Sequence, residues 1–295
     1  MQNKSLELLV KLGVCHGNDL TQFWPCTRDR DDITVLRCPH SGVILLDRTD
    51  HITNETYSGD SDTFEYWSTT DRKASTTRCL DDDQRRATLI TPFIQDKRWL
   101  DIGTGAGGLL DLCADLAHSA AGVEPQKVAR EALVRDGFNI AEHIYDIADT
   151  FDVITSFHVI EHLVDPLAIL ETASHRLANG GKLIIEVPHA GDLLLNSLDC
   201  NEFKQHTLWS QHLILHTKTS LTRLLETAGF TNIEVHGIQR YPLANHMYWL
   251  RHGKPGGHKK WKELTNPELD KAYSETLNAT NATDTLIAFA DRIWV

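Results

Sequence analysis

The stretch Trp99-Leu100-Asp101-Ile102-Gly103-Thr104-Gly105-Ala106-Gly107-Gly108 decides the fold of this chain. Its apolar start predicts the end of a buried strand, and its glycines predict a turn with almost no side chains. Leucines and alanines then recur at helical spacing from Leu109 to Ala117. Glycines let the backbone pass close to a ligand, and the start of the following helix offers unpaired N–H donors. Strand, turn and helix together predict a nucleotide-cofactor site.

A second predicted strand, residues 120–123, ends at the carboxylate of Glu124. A carboxylate at this point can accept hydrogen bonds from a ribose diol. The glycines alone do not identify the cofactor. Gly103, Gly105 and Gly108 satisfy the dinucleotide pattern G-x-G-x-x-G, which favours NAD. Asp101 and the glycines at 103, 105 and 107 also match a second pattern, D-x-G-x-G-x-G. The loop alone therefore leaves NAD and a second cofactor as alternatives.

Two later stretches separate these alternatives. His158-Val159-Ile160-Glu161-His162-Leu163-Val164-Asp165-Pro166 follows the fourth predicted strand, residues 151–156, and Leu177-Ala178-Asn179-Gly180-Gly181-Lys182 precedes the fifth, residues 183–188. Together with D-x-G-x-G-x-G, they resemble motifs of the class I S-adenosylmethionine (SAM)-dependent methyltransferases. The resemblance is to the branch with the ubiquinone-biosynthesis O-methyltransferases and many sugar methyltransferases. Dinucleotide dehydrogenases lack the E-H-L-x-D-P element, and the Y-x-x-x-K pair of sugar oxidoreductases and epimerases is missing after strand four.

The resemblance implies SAM as cofactor and S-adenosylhomocysteine (SAH) as product. In the family the first acid lies beside the methionine part of SAM and the second holds the ribose. The resemblance therefore implies that Asp101 lies beside the methionine part and that Glu124 holds the ribose. Arg86, or its neighbour Arg85, is a candidate for the SAM carboxylate, since a guanidinium matches that group bidentately. Tyr57 and Tyr66 are candidates to fold over the cofactor. The other expected cofactor contacts lie in the loop and at the ends of strands three and four: Gly103, Thr104, Gly105, Gly107, Asp146, Ile147, Ser156 and Phe157.

Three histidines, His158, His162 and His212, are the candidates for chemistry on the acceptor. His158, Glu161 and His162 stand at i, i+3 and i+4, so on a helix they share one face. This face can brace the cofactor loop or supply a proton acceptor; a divalent metal is the less favoured alternative. His212 lies in Gln211-His212-Leu213-Ile214-Leu215-His216-Thr217, which resembles the family's stretch lining the acceptor pocket. A histidine there can deprotonate a hydroxyl.

The resemblance implies a doubly wound, Rossmann-like α/β fold with a seven-stranded, mostly parallel sheet in the order 3-2-1-4-5-7-6. We expect a degenerate ribbon or lid at residues 1–80, the SAM-binding domain at 81–240, a cap at 241–282 and the final strand at 283–295. Two short predicted strands, 34–38 and 42–46, resemble a zinc-ribbon head with broken C-x-x-C pairs. Its remaining possible zinc ligands are Cys15, His16, Cys38 and His40.

Composition limits the partners. The formal charge is −12, from 29 basic and 41 acidic residues, which disfavours nucleic acid because phosphate contacts need a basic face. No apolar run is long enough for a membrane span, no leader is expected, and the scattered cysteines predict no disulfide framework, so we expect a cytoplasmic protein. The predicted acceptor is a small polar molecule, a hydroxyl of a sugar, sugar nucleotide or surface polysaccharide, with O-methylation favoured. A homo-oligomer is possible. The alternatives are an NAD(P)-dependent sugar oxidoreductase or epimerase, and a non-catalytic SAM-binding protein.

Overall fold

The computed structural model describes residues 3–17, 19–53, 56, 69 and 71–292. The strands in this part of the chain are β1 (Thr21–Trp24), β2 (Val35–Arg37), β3 (Ile44–Leu46), β4 (Arg98–Ile102), β5 (Ser119–Val123), β6 (Asn139–Ala141), β7 (Phe151–Phe157), β8 (Leu177–Pro188), β9 (Ile214–Leu215), β10 (Thr231–Ile238) and β11 (Thr285–Arg292). The helices are α1 (Lys4–Lys11), α2 (Arg72–Ile94), α3 (Gly108–Cys113), α4 (Lys127–Arg135), α5 (Pro166–Arg176), α6 (Asn201–Thr207), α7 (Lys218–Thr227), α8 (Leu243–His252), α9 (Gly257–Lys260) and α10 (Pro267–Ala279).

The main sheet has seven strands in the order β6-β5-β4-β7-β8-β11-β10. Strands β4 to β8 run parallel, and β11 pairs antiparallel with both β8 and β10. β4 lies in the middle, and its Trp99 and Leu100 are fully buried, as expected for a strand covered on both faces. The sequence-based prediction of a Rossmann-like sheet in the order 3-2-1-4-5-7-6 is confirmed.

The carboxyl edge of this sheet collects the residues that sequence analysis singled out. β4 leads into the glycine loop, β5 into Glu124, β7 into His158 and β8 into His189. β11 starts at this same edge, directly after Asp284, because it runs in the opposite direction. Ligands of open α/β sheets bind outside the carboxyl ends of the strands, so the topology itself brings the candidates together.

Three predicted elements have other bounds in the structure. The sequence predicts a third strand over residues 141–146, but in the structure this strand is only Asn139–Ala141, and a helical turn, Ile144–Asp146, follows. Here only Ile144 is buried, while Tyr145 and Asp146 are exposed, so there is no alternating face to sustain a strand. β8 begins at Leu177, so Gly180 and Gly181 lie within a strand instead of a turn. α2 begins at Arg72, capped by the Asp71 carboxylate, and therefore crosses the expected boundary at residue 80.

A second, four-stranded sheet, β1-β2-β3-β9, forms the head of the molecule. The two predicted ribbon strands correspond to β2 and β3, but β9 comes from the distant stretch around His212. Ile44 pairs with Leu215 and Leu45 with Ile214. A zinc site at Cys15, His16, Cys38 and His40 is not among the metal-ligating groups of the described residues. Burial raises the pKa of the Cys15 thiol to about 12, and its Sγ lies 3.8 Å from Ser41 Oγ.

The insertion between β10 and β11, for which the sequence predicts a cap, contains α8, α9 and α10. Its interior is held by aromatic contacts, with the Tyr248 and Trp261 rings 5.0 Å apart. A partly buried hydrogen bond of 2.7 Å joins His246 Nδ1 to the Tyr273 hydroxyl, linking α8 to α10. Within the described ranges, none of the helices combines the length and apolar composition needed to cross a bilayer.

Candidate functional site

The glycine loop approaches any ligand through bare backbone. Gly103, Gly105 and Gly107 have φ of +78°, +54° and +73°, in the left-handed region that favours glycine. A Cβ on Gly103 would collide with the Val159 side chain, and one on Gly107 with Leu133. A Cβ on Gly105 would meet nothing within 4 Å. The loop is therefore packed against protein at both ends and open at Gly105, where a cofactor can lie against it.

Glu124 fixes this loop and retains acceptor capacity. Its Oε2 accepts a hydrogen bond of 2.8 Å from the Gly105 N–H, and its Oε1 accepts one of 2.9 Å from Gln126 N–H. The side chain is only 6% exposed, and burial raises its pKa. A carboxylate has about four acceptor positions. Two remain for the hydroxyls of a ribose, as the sequence predicts for Glu124.

Asp101 lies at the end of β4 in a buried hydrogen-bonded chain. Its Oδ1 accepts a hydrogen bond of 2.6 Å from the Thr155 hydroxyl, which accepts one of 2.8 Å from Trp99 Nε1. Burial raises the pKa of Asp101 to about 6. The carboxylate therefore ionises just below neutral pH, at the point where the family resemblance places the methionine part of SAM.

We expect SAM binding to strengthen between pH 5 and pH 7. With a pKa of about 6, the ionised fraction of Asp101 rises over this range from about a tenth to about nine tenths, so affinity for the ammonium group of SAM should rise up to about ninefold. Calorimetric titration of the protein with SAM at several pH values measures this change in affinity. In Asp101→Asn, which keeps the shape of the side chain, the pH dependence should disappear; the same slope in both proteins would contradict the assignment.

The expected adenine and methyl-end residues lie on either side of the loop. Asp146 and Ile147 follow β6, beside the strand that ends at Glu124, and the Asp146 carboxylate accepts a hydrogen bond of 3.0 Å from His143 N–H. On the other side, Ser156 is buried at the end of β7, and the Arg86 guanidinium lies 5.3 Å from the Phe157 ring centre. The cofactor contacts of all four stay predictions. Tyr57 and Tyr66 lie outside the described residues.

Arg86 has a strong protein partner that the sequence analysis did not anticipate. Its Nε and Nη2 donate to Glu186 Oε1 at 3.1 and 2.9 Å, and Arg85 Nη2 donates to the same oxygen at 2.8 Å. Glu186 is fully buried in β8. Burial would raise the pKa of Glu186, but His158 and the two arginines hold it well below its usual range. A lone acid inside the apolar run 183–188 was the available sequence signal.

His158 does not lie on a helix, in contrast to the shared helix face considered from the sequence. Its backbone is in the left-handed conformation, with φ of +56°, just before the turn Ile160–His162. Its ring nevertheless reaches Glu161, with Nδ1 3.1 Å from Glu161 Oε1 and Nε2 3.2 Å from Glu186 Oε1. Burial would lower the pKa of His158, but these two carboxylates outweigh it and raise the pKa. An imidazole whose two ring nitrogens both face carboxylate oxygens braces the site and is a poor proton acceptor.

His162 and His212 lie together on the other side of Glu161. Their ring centres are 5.0 Å apart, and His162 Nε2 lies 3.8 Å from Glu161 Oε1. Burial lowers the pKa of His162 and lowers that of His212 to about 3, so both rings are neutral at physiological pH. Burial would raise the pKa of Glu161, but hydrogen bonding to His158 and the nearby histidines lower it to about 2. We call Glu161, His162 and His212 the histidine cluster.

The histidine cluster also has the donor set of a metal site. One ligand atom from each of its three side chains lies within 4.8 Å of the others. Glu161 Oε2 is buried and has no hydrogen-bond partner among the described residues. The residues therefore fit a divalent cation, which when bound would act as a Lewis acid on an acceptor oxygen. The set differs from the predicted helix face, because His212 takes the place of His158.

Arg240 joins the cap side of the site to α2, which the sequence analysis missed. Its Nε donates to Asp82 Oδ1 at 3.0 Å, and its backbone N–H lies 3.1 Å from both carboxylate oxygens of Asp284. Its Nη1 lies 3.2 Å from His158 Nε2. The charged network thus runs from α2 through β7 and β8 to the start of the cap.

Comparison with known proteins supports the sequence-based resemblance. A family model described as "Methyltransferase domain" matches residues 70–235. Two relatives are named "Ubiquinone biosynthesis O-methyltransferase". The one from Parvibaculum lavamentivorans is 36% identical over 110 residues, covering 34% of this chain and 43% of that protein. The one from Aeromonas salmonicida is 27% identical over 164 residues, covering 50% of this chain and 69% of that protein. The match to the first relative thus spans less than half of its length.

Solved structures show the same fold at low identity. A SAM-dependent methyltransferase from Archaeoglobus fulgidus has a TM-score of 0.51 and 17% identity, covering 75% of this chain and 95% of that one. The plantazolicin methyltransferase BpumL in complex with SAH has a TM-score of 0.50 and 16% identity, covering 82% and 94%. The predicted class and its SAM cofactor are confirmed at family level, in place of an NAD enzyme. With more than half of its residues matched by the family model, the chain belongs to the methyltransferase-domain family and has the class I SAM-dependent methyltransferase fold.

Proposed function

We propose that this protein transfers the methyl group of SAM to a hydroxyl oxygen of a small acceptor. The observation that carries this proposal is the arrangement at the carboxyl edge of the sheet. A ribose-type cradle of Gly105 and Glu124 follows β4 and β5. In the histidine cluster, Glu161 and His162 follow β7 and His212 precedes β9. In the reaction the sulfonium C–S bond breaks, the O–CH3 bond forms in line, and SAH leaves. The acceptor's proton goes to a base.

The protein's own contribution is positioning and proton removal. Of the three predicted catalytic histidines, His212 is best placed to take the proton. Its Nδ1 donates to the Thr207 carbonyl at 3.1 Å, which leaves Nε2 as the acceptor nitrogen of a neutral ring. His162 is held in the same way by the Gln211 carbonyl at 2.8 Å and stands beside it. His158 acts as a positioning residue that ties Glu161 to Glu186.

The acceptor has two candidate classes. The relatives' names refer to ubiquinone biosynthesis, which favours a hydroxyl on an aromatic ring. Trp209 supports this class, because its ring lies 5.9 Å from that of His162 and 5.6 Å from that of His212 and so places an aromatic side chain beside the proposed base. The predicted carbohydrate acceptor rests on the polar groups near the cap, notably Arg240 and Asp284. We favour the aromatic hydroxyl.

The test follows methyl transfer from isotopically labelled SAM. Purified protein is incubated in separate reactions with a catechol, with a hydroxylated benzoate that carries no polyprenyl chain, and with a set of sugar nucleotides. The labelled products of each reaction are then quantified. Label in the aromatic arm supports the favoured acceptor; label only in the sugar arm would replace it by the carbohydrate. SAM binding by calorimetry without transfer to any arm would support the non-catalytic alternative, and binding of NADH instead of SAM would overturn the proposal.

A further inference from the structure

We propose that the insertion between β10 and β11 supplies a second part of the acceptor site, in which His258 and Tyr241 contact an acceptor that carries an anionic group. The inference deepens the proposed function and rests on it for the identity of the ligand as the methyl acceptor. Two features of the insertion support it. A tightly held turn fixes the His258 ring beside the charged network, and exposed cations surround this ring.

The turn before His258 is held by one buried amide. Asn245 on α8 is only 3% exposed, and its Oδ1 accepts hydrogen bonds of 3.0 and 3.1 Å from the Gly256 and Gly257 N–H groups. Gly256 has φ of +110°, and a Cβ on Gly257 would collide with the Ala244 carbonyl oxygen. Both positions therefore need glycine, and the turn lies directly against α8.

Asn245 also fixes the tautomer of the half-buried His258 ring. Its Oδ1 lies 3.3 Å from His258 Nδ1. Because the two backbone N–H groups can only donate, the atom that they share is the amide oxygen, and Nδ1 must therefore carry a proton. Burial and the nearby Lys259 lower the pKa of His258, so the ring is neutral at physiological pH. Its Nε2 then has a lone pair, for which the described part of the chain supplies no donor. This nitrogen can accept a hydrogen bond from an acceptor hydroxyl.

The surface around His258 is strongly basic. Residues 251–262, which we call the basic segment, contain no acid and five exposed cations, namely Arg251, Lys254, Lys259, Lys260 and Lys262. Among the described residues, no carboxylate lies within ion-pair distance of any of these five. In a chain of formal charge −12, this segment is a local exception to the overall sign of the charge. Its field attracts an anionic group.

Tyr241 connects His258 to the charged network of the site. The Tyr241 ring lies 5.6 Å from the His258 ring and 5.4 Å from the Arg240 guanidinium. Arg240 Nη1 lies 3.2 Å from His158 Nε2. The Tyr241 side chain is 37% exposed, and its hydroxyl has no hydrogen-bond partner within the described ranges. An acceptor that extends from the ends of β7 and β8 toward the insertion would therefore meet Tyr241 first and then His258.

The experiment compares two pairs of probes whose members differ by one anionic group. Full-length protein saturated with SAH is titrated by calorimetry with protocatechuate and with catechol, which lacks the carboxylate. It is also titrated with a hexose phosphate and with the free hexose. In one of the pairs, we expect the anionic member to bind at least about 10-fold more tightly than the neutral one. The pair that shows this selectivity tells whether the anionic group is a carboxylate or a phosphate.

Variants of the basic segment test the named side chains. His258→Asn keeps an amide near the position of Nδ1 and removes Nε2, so it should weaken binding of the selected probe about 10-fold. His258→Gln places its amide near the position of Nε2 and should lose less than about threefold. The double variant Lys259→Gln with Lys260→Gln should lower the preference for the anionic member about fivefold and leave binding of the neutral member unchanged.

Two substitutions outside the site are the matched controls. His118→Asn removes an exposed histidine at the opposite edge of the main sheet, just before β5. Lys271→Gln removes a lysine on α10 whose side chain is 76% exposed. Both should bind all four probes like the parent protein. Thermal melting and SAM titration show that each variant is folded and keeps its cofactor site.

Every outcome bears on the inference. Equal affinity for the two members of both pairs, or no binding of any probe, would overturn it. Parent-like binding by His258→Asn, equal losses in His258→Asn and His258→Gln, or full anion preference in the double lysine variant would also overturn it. Anion-selective binding without methyl transfer to any acceptor would leave the binding site standing and remove the proposed function. Methyl transfer with equal kcat/KM for the two members of each pair would do the reverse.

Discussion

Glu124→Ala is expected to weaken SAM binding by two orders of magnitude or more. In the structure the Glu124 carboxylate accepts the Gly105 and Gln126 N–H groups and has acceptor positions left for the ribose hydroxyls. A hydrogen bond to a charged acceptor contributes about 1.5–3 kcal/mol, so loss of two of them to SAM corresponds to at least about 100-fold in Kd. Alanine also leaves the Gly105 N–H without its partner and loosens the loop. Calorimetric titration with SAM and SAH measures the effect.

The controls separate loss of the ribose contact from loss of structure. Glu124→Gln keeps a carbonyl oxygen for one hydrogen bond and should lose less affinity than alanine. Glu131→Ala removes an exposed acid from the following helix and should bind SAM like the parent protein. If Glu124→Ala binds SAM within threefold of the parent while melting normally, the cradle at Glu124 is not the cofactor site.

The second large effect concerns His212. Its replacement by glutamine is expected to lower kcat for methyl transfer by about 100-fold or more, since positioned proton transfer contributes 10²- to 10⁴-fold. The Kd for SAM should stay within threefold of the parent value, because the His212 ring lies in the histidine cluster and not at the glycine loop. Single-turnover measurements with labelled SAM isolate the chemical step.

His236→Gln serves as the reference, since that ring is half-exposed on β10. It should keep the parent rate. The pH profile adds a readout that a purely structural change would not give: without its neutral base, His212→Gln should recover part of its activity at high pH, where the acceptor hydroxyl ionises by itself. Parent-like turnover in His212→Gln would remove His212 from the chemistry.

Sequence was sufficient for the fold and for the proximity of Glu124 to the glycine loop, because their determinants are local. The turn at Gly103 needs left-handed backbone next to a buried strand, and both features are visible within ten residues. The carboxylate at the end of the next strand follows from the βαβ repeat. The strand order of the family predicts that Glu124 lies beside Gly105. In the structure the Gly105 N–H donates to the Glu124 carboxylate.

The contacts on the histidine side of the candidate site were predicted less well, because they join distant segments. Arg86 and Glu186 are 100 residues apart, and Arg240 and Asp82 are 158 apart. No local sequence pattern predicts such pairs. The only local signal is that Glu186 is a lone acid in an apolar strand. Helical spacing correctly suggested that His158 and Glu161 meet, but for the wrong reason, since the left-handed backbone at His158 and not a helix brings them together.

The β3–β9 pairing sets the order in which the molecule can be completed during its synthesis. The Ser210 N–H donates to the Asp29 carboxylate at 3.0 Å, across 181 residues, and β9 closes the head sheet just beyond it. The N-terminal strands thus leave the ribosome long before their partner exists, and such non-local pairing is slow because loop closure precedes the gain from contacts. We expect a nascent chain arrested before residue 210 to lack β9 and to present the unpaired edge of β3 to other chains.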